Sequence, residues 1–343
     1  MKIWILRSVI SILLVCTAIF SYLVFYPVSY HVPQSDNRRN IQYWNLPTGS
    51  RIACTLIAAK GVKRRYPVIY LHGGPGGFVS EETVKRFTPL SEDGYDVCLY
   101  DQIGSGHSDR LKNIEEYSVR RHINDLAEII KKTGAEKVIL IGQSWGAILA
   151  VLFLADHPGK VEKLILTGPG PIYPLRKDLE KIEPPDSLNL KKPLFSNRQA
   201  NEKVENLRCK AVFLWAKIFG KKLASDQEMD DFQTALSNET NRSTVCDTSQ
   251  APGAEGGSGY YVSVMTMRSL PEIPDPRTKL KNSEVPLFIM KGQCDNQRWG
   301  YVTEYLNLFP HHRLVVIPNA GHAISVEQPV LYLATLRNFL DSN

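Results

Sequence analysis

Several kinds of feature are missing from the 343-residue sequence. It has no CxxC pair and no Cys/His grouping at zinc spacing, which removes a zinc site or a dithiol redox centre. No metal and no cofactor is therefore expected. No internal repeat is visible. No run of Lys or Arg is long enough for a nucleic-acid stripe, and short clusters such as Lys63-Arg64-Arg65 read as solvated loops. The formal charge is +6, from 41 Lys+Arg against 35 Asp+Glu, too small an excess to select an anionic polymer. Apolar residues make up 43% and charged residues 22%, with 23 Gly and 21 Pro. Those ordinary proportions exclude disordered, collagen-like and many-spanning membrane chains. The length allows two domains, or one large α/β core with an insertion.

The average hides an uneven start. After Lys2 and Arg7, no charged residue occurs until Asp36. Ser8 to Tyr26 is dominated by Val, Ile, Leu and Phe, and Pro27 stops the helix. At 1.5 Å per residue this run spans about 28 Å, the thickness of a bilayer's hydrocarbon core. Trp4 at one end and Tyr22, Tyr26 and Tyr30 at the other suit interfacial aromatic belts. A cleaved signal peptide needs a shorter apolar region followed by a small-x-small site. The nearest such site, Cys16-Thr17-Ala18, lies inside the run. The expectation is an uncleaved anchor, residues 1–33, crossing the membrane through residues 8–26. Lys2 and Arg7 are balanced by Arg38 and Arg39, and the free amino terminus tips the orientation toward an extracytoplasmic body. Cys209 and Cys246 could pair in such a compartment; Cys54 and Cys98 sit in apolar strand-like runs and read as buried.

From about Ile41 strands alternate with helices. Arg51–Ala59, Pro67–Leu71, Tyr95–Tyr100, Val138–Ile141 and Val161–Thr167 read as strands. Pro286–Lys291 and Leu314–Ile317 follow far downstream. Val119–Lys132, Ala147–Ala155 and Pro329–Leu340 read as helices. Continuous apolar strands separated by helices predict a mostly parallel sheet covered on both faces. Between Thr167 and Pro286 the rhythm breaks into loops, an amphipathic segment near Val204–Phe219 and a Gly-rich turn, 253–259. The expected organisation is a core of residues 34–170 and 286–343, with a helical cap, 171–285, inserted over the sheet's C-terminal edge.

Gly142-Gln143-Ser144-Trp145-Gly146 lies between an apolar strand and a helix. This is the strand–turn–helix elbow that forces a serine into a sharp, exposed turn near a helix N-terminus. A serine hydroxyl needs a base. In the Ser–acid–His order of this architecture, the acid follows a late strand and the His follows the last one. Asp295 lies just beyond the 286–292 strand, and His322 follows the 313–317 strand, so the candidate triad is Ser144–Asp295–His322. The other histidines, His107, His122, His157, His311 and His312, read as surface or core residues. Cys294 lacks an elbow and reads as packing beside Asp295. The oxyanion hole would take one N–H from Trp145 and one from the glycine loop His72-Gly73-Gly74-Pro75-Gly76-Gly77, where Gly74 is the candidate.

The His72–Gly77 loop, the Asp101-Gln102-Ile103-Gly104-Ser105-Gly106-His107-Ser108 turn and the elbow together resemble α/β-hydrolases of the proline iminopeptidase family. The likeness covers roughly residues 40–170 and 286–343. It implies an α/β-hydrolase fold and a metal-free serine aminopeptidase releasing an N-terminal residue, typically proline. The family also holds esterases, amidases and tripeptidyl peptidases. By the same resemblance His72, Gly73 and Trp215 are candidate substrate-binding residues, with His72 also bracing its loop.

Two departures stand out. Ile103 replaces the family's usual Arg. The cap's K-A-W-x-x-W-E segment, whose Glu meets the substrate amine, becomes Lys210-Ala211-Val212-Phe213-Leu214-Trp215 followed by Ala216. An ammonium buried without a partner costs several kcal/mol. Glu202, Glu205, Glu228 and Asp231 are the substitutes weighed, each against a solvated helix face. The expected activity is amide hydrolysis of a small peptide through an acyl-enzyme. The alternatives are a membrane-anchored carboxylesterase or lipase on acyl esters, and a non-catalytic binding protein. A dead hydrolase should lack a triad residue, and none is missing. Oligomeric state is left open.

Overall fold

A computed structural model describes residues 2–34 and 38–342. Met1, positions 35–37 and Asn343, which the expected segments include, lie outside the described residues. Eight strands form one sheet: β1 (Gln42–Asn45), β2 (Arg51–Ile57), β3 (Val68–Leu71), β4 (Val97–Tyr100), β5 (Val138–Gln143), β6 (Val161–Thr167), β7 (Leu287–Gly292) and β8 (His312–Ile317). Their spatial order is β1-β2-β4-β3-β5-β6-β7-β8. The β2 strand runs antiparallel to β1 and β4; all other neighbours are parallel. The expected strands are present to within a few residues, and the short edge strand β1 is added.

Topology positions the site. From β3 the chain steps outward to β4 and then returns to β5 on the other side, so the order reverses at β3. Leu71 pairs with Gly142, which sets the C-terminal ends of β3 and β5 side by side. The loops leaving those ends carry the glycine run and the serine. A crevice at such a switch point is where open α/β sheets bind ligands.

Both faces are covered. The Val119–Thr133 and Trp145–Asp156 helices pack on one side; Phe87, Leu90 and the Pro329–Asp341 helix pack on the other. Every residue from Trp145 to Ala155 is buried, which explains a helix apolar on all sides. Each fully covered Leu or Phe contributes about 1.5–3 kcal/mol.

The cap emerges between β6 and β7, with principal helices Asn197–Val204, Leu207–Phe219, Asp226–Thr240 and Tyr260–Ser269. The amphipathic stretch read as one piece is broken at Glu205-Asn206, because Asn206 starts a new helix through a reciprocal capping box with Cys209. The Gly-rich segment lies directly on the core's glycine turns. Gly259 N–H donates to Gly76 O at 2.7 Å, and a Cβ on Gly259 would stand 2.0 Å from Gly104 O.

The N-terminal helix spans Lys2–Phe25 and ends just before Tyr26-Pro27, where a residue preceding proline disfavours the helical region. Its Trp4–Phe25 stretch has a mean hydropathy of 2.4 and is 6% buried, long and apolar enough to cross a membrane. The segment after it is pinned to the cap. Tyr30 packs on Phe232, and its hydroxyl accepts from Asn206 Nδ2 at 2.8 Å.

The disulfide differs from the expected pairing. Cys246 bonds Cys294, joining the cap to the loop after β7. Cys209 is a free, buried thiol, engaged by its own capping box: Asn206 N–H donates to its sulfur.

Candidate active site

Ser144 has φ +53° and ψ −114° and closes β5 directly onto the helix beginning at Trp145. A non-glycine residue held there is strained, so the flanking packing must enforce it. It does: a Cβ on Gly146 would stand 2.0 Å from Leu71 O, and one on Gly142 would stand 2.5 Å from Gly146 O. Only hydrogens fit at those two positions, which is why the elbow requires glycine on both sides. The Trp145 amide then opens the helix.

The glycine loop lies against Ser144. A Cβ built on Gly73 would approach Ser144 Cβ to 3.3 Å, and Gly73 and Gly74 share a cavity of about 470 Å³ with Ser144 and His322. His72 takes the bracing role. Buried, with its pKa lowered by desolvation, the ring accepts from Gln102 N–H at 2.9 Å and places Nδ1 2.9 Å from Gly73 O. Both ring nitrogens are engaged by the scaffold, and His72 also lines the cleft. Gln102 also accepts from Trp145 Nε1 at 2.8 Å, tying the glycine loop, the β4 turn and the elbow together.

Asp101 anchors that β4 turn. Its carboxylate accepts from Arg38 Nη1 at 2.9 Å and from the N–H groups of Val79 and His107, each at 2.8 Å. Arg38 is buried, so it does not serve as the membrane-flanking charge that the sequence suggested. Ile103, where the family carries Arg, is fully buried in the apolar core.

Asp295 and His322, the candidate acid and base, stand in the turns after β7 and β8. His322 Nδ1 lies 2.9 Å from Asp295 Oδ1, which also accepts from Gln297 N–H at 3.0 Å. The other carboxylate oxygen accepts from Lys291 Nζ at 3.2 Å, and Lys291 also donates to Gln297 O at 2.9 Å. Burial by itself would raise the Asp295 pKa; Lys291 and His322 outweigh it and hold the carboxyl well below its usual range. Among the described residues the Ser144 hydroxyl makes no hydrogen bond to His322, and such contacts commonly tighten only around substrate. Gly168 leaves room for the ring, since a Cβ there would stand 2.5 Å from His322 Nδ1.

The remaining histidines lie elsewhere. His122 is buried against the Trp145 ring, bonds Thr266 and has its pKa pushed down to about 3 by desolvation. His311 pairs with Glu284. Trp215 does not line the cavity around Ser144: its ring packs at a tilt against Phe219, 4.4 Å between centroids, on the outer side of its helix. The inward face is taken by Arg208, Cys209, Val212 and Ala216. The four cap acids are also spent. Glu202, Glu205 and Glu228 pair with Arg198, Lys210 and Arg208, and Asp231 accepts from Gln227.

Sequence reasoning missed Lys291 and Gln102. Lys291 left a signal, since a lysine in a central apolar strand demands a buried partner. The cavity wall near Ser144 is instead rich in amides, including Asn197, Gln233, Asn241 and Asn296. Amides spread over distant segments of cap and core carry no local pattern.

A family model for the alpha/beta hydrolase fold matches residues 66–329. A proline iminopeptidase from Heyndrickxia coagulans is 28% identical over 281 residues, covering 80% of this chain and 91% of the relative. Among solved structures, an esterase from Exiguobacterium antarcticum superposes with a TM-score of 0.60 at 20% identity, covering 88% of this chain and 99% of the esterase. The proline iminopeptidase of Mycobacterium smegmatis gives 0.56 at 18%, covering 88% and 97%. With the sheet order, the elbow and this match in hand, the chain belongs to the α/β-hydrolase fold family.

Proposed function

We propose that this hydrolase is a membrane-tethered serine hydrolase that cleaves a small amide substrate through an acyl-enzyme, as an aminopeptidase of the proline iminopeptidase kind. The observation that carries this is the convergence of a strained Ser144 and the His322–Asp295 pair on one cavity. Ser144 attacks the carbonyl while His322 takes its proton and returns it to the leaving amine. Asp295 fixes the ring's tautomer and balances the imidazolium. The N–H groups of Trp145 and Gly74 receive the oxyanion, each worth about 3–4 kcal/mol in the transition state. Water then releases the acyl group. The relatives named proline iminopeptidase support this reading.

One observation favours a second reading, an esterase. The wall next to Ser144 presents amides rather than an acid, and Ala216 replaces the family's Glu. Comparing a prolyl-arylamide, its N-acetylated form and short-chain acyl esters separates the two. The aminopeptidase reading expects turnover of the free amide and rejection of the blocked one. Equal turnover of both amides, or ester turnover alone, sinks it.

The tether is the N-terminal helix, with the amino terminus inside and the body outside the cytoplasm. The Cys246–Cys294 disulfide supports this, since it suits an oxidising compartment. Residues 171–285 act as the cap domain over the core.

A further inference from the structure

The Leu207–Phe219 helix is apolar on both faces. Its inner face is buried, yet the opposite face leaves Leu207, Leu214 and Ile218 exposed, flanked by Trp215 and Phe219 on one side and Phe213 on the other. Ile218 is 66% exposed and Leu214 55%. A helix that only faced water would carry polar residues there. Contiguous exposed apolar surface of this kind marks an interaction site.

The helix's neighbour identifies the occupant. Arg208, in its first turn, donates to Val24 O at 2.7 Å, one of the last carbonyls of the N-terminal helix. The same guanidinium is paired with the buried Glu228, which accepts from Val28 N–H at 3.0 Å. Val24 is itself buried at this junction. The end of the span is therefore clamped to the start of this cap helix, and no slack chain separates them. The end of the N-terminal helix and the start of the 207–219 helix thus meet at Val24 and Arg208. Stacked Tyr22 and Tyr26 bracket Val24 in sequence, as headgroup-depth aromatics do. Lys210 and Lys217 flank the apolar stripe and are long enough to snorkel toward phosphates.

We infer that the outer face of the Leu207–Phe219 helix lies in the bilayer interface as a second, monotopic membrane contact beside the span. This rests on the N-terminal helix being a membrane anchor. Continuity with that apolar helix selects lipid over a protein partner, and the mixture of Trp, Phe, Leu and Ile with flanking Lys is the composition of an interfacial helix. The cap, and with it the cleft it covers, is then held at a fixed height against the membrane rather than swinging on a tether.

The test uses the full chain in phosphatidylcholine vesicles, with Cys16→Ala so that an introduced cysteine is the accessible thiol; Cys54, Cys98 and Cys209 are buried. An environment-sensitive fluorophore is placed on Ile218→Cys and, as control, on Val62→Cys, a 91% exposed site on the core. Alkaline carbonate extraction is run in parallel. Lipid docking expects carbonate-resistant protein, shorter-wavelength emission at 218 than at 62, and quenching at 218 by nitroxide lipids but not by aqueous iodide. Adding Leu214→Glu should shift emission at 218 back toward that at 62. Carbonate resistance with iodide quenching at 218 overturns docking and leaves the anchor standing. Protection from both quenchers assigns a protein neighbour and overturns it too. Release by carbonate overturns the anchor, and docking with it.

Discussion

Two helices in this chain are apolar on every side, and they have opposite fates. The Trp145–Asp156 helix is buried from Trp145 to Ala155 between sheet and neighbouring helices; Trp4–Phe25 of the N-terminal helix is almost wholly exposed. The same contrast separates core from cap. In the core, apolar surface is covered and the candidate site is held by backbone contacts too close for a Cβ. In the cap, the Leu207–Phe219 helix leaves its outer apolar face open, and position is held by side-chain clamps and one disulfide. Composition is shared between the two regions, so neighbours decide what an apolar helix is for.

If the core alone carries the chemistry, Ser144→Ala should lower kcat by about 10⁶-fold while carbonate-resistant membrane retention stays unchanged. Steady-state kinetics and fractionation read the two halves; joint loss breaks the comparison. Next in size, Gly146→Val places carbon where 2.0 Å separates it from Leu71 O and should cost more than about 5 kcal/mol, seen as failure to recover a folded, monodisperse protein.

Lys291→Met, which leaves buried Asp295 without its cation, should cost about 3–5 kcal/mol at neutral pH in denaturant unfolding. The folded Asp295 pKa lies below the unfolded one, so its ionisation stabilises the fold above the ordinary carboxylate range. That contribution fades as pH falls toward the depressed folded value. The gap between variant and wild type should therefore be widest near neutrality and narrow below about pH 4. A gap independent of pH would place the role of Lys291 in packing.

Cys294→Ser cuts the bond between the regions and should lower stability by about 2–4 kcal/mol, with a matching loss in wild type under reductant. Smallest of all, Leu214→Glu should change unfolding in detergent by no more than about 0.5 kcal/mol, since that side chain is mostly exposed on the outer face of its helix. A larger loss would mean the outer face is covered by protein.

The core was legible because its signals are local. Apolar strands, the spacing of glycines around Ser144 and the turns after β7 and β8 each lie within a few residues. Asp295 and His322 could be found from strand ends alone, and the structure brings them to 2.9 Å. The cap resisted because its determinants are distant in sequence. Cys246 meets Cys294 across 48 residues, and Arg208 meets Glu228 and Val24 together. Trp215 was assigned inward by resemblance, but Val212 and Ala216 occupy the inner face and turn it out. Arg38 looked like a flanking charge because nothing near it in sequence reveals Asp101.

The most direct test of the nucleophile assignment is reaction with a fluorophosphonate probe followed by mass mapping of the labelled peptide. The account predicts one adduct, on Ser144, absent from folded Ser144→Ala. An unlabelled, folded wild type, or equal labelling of the variant, would contradict it.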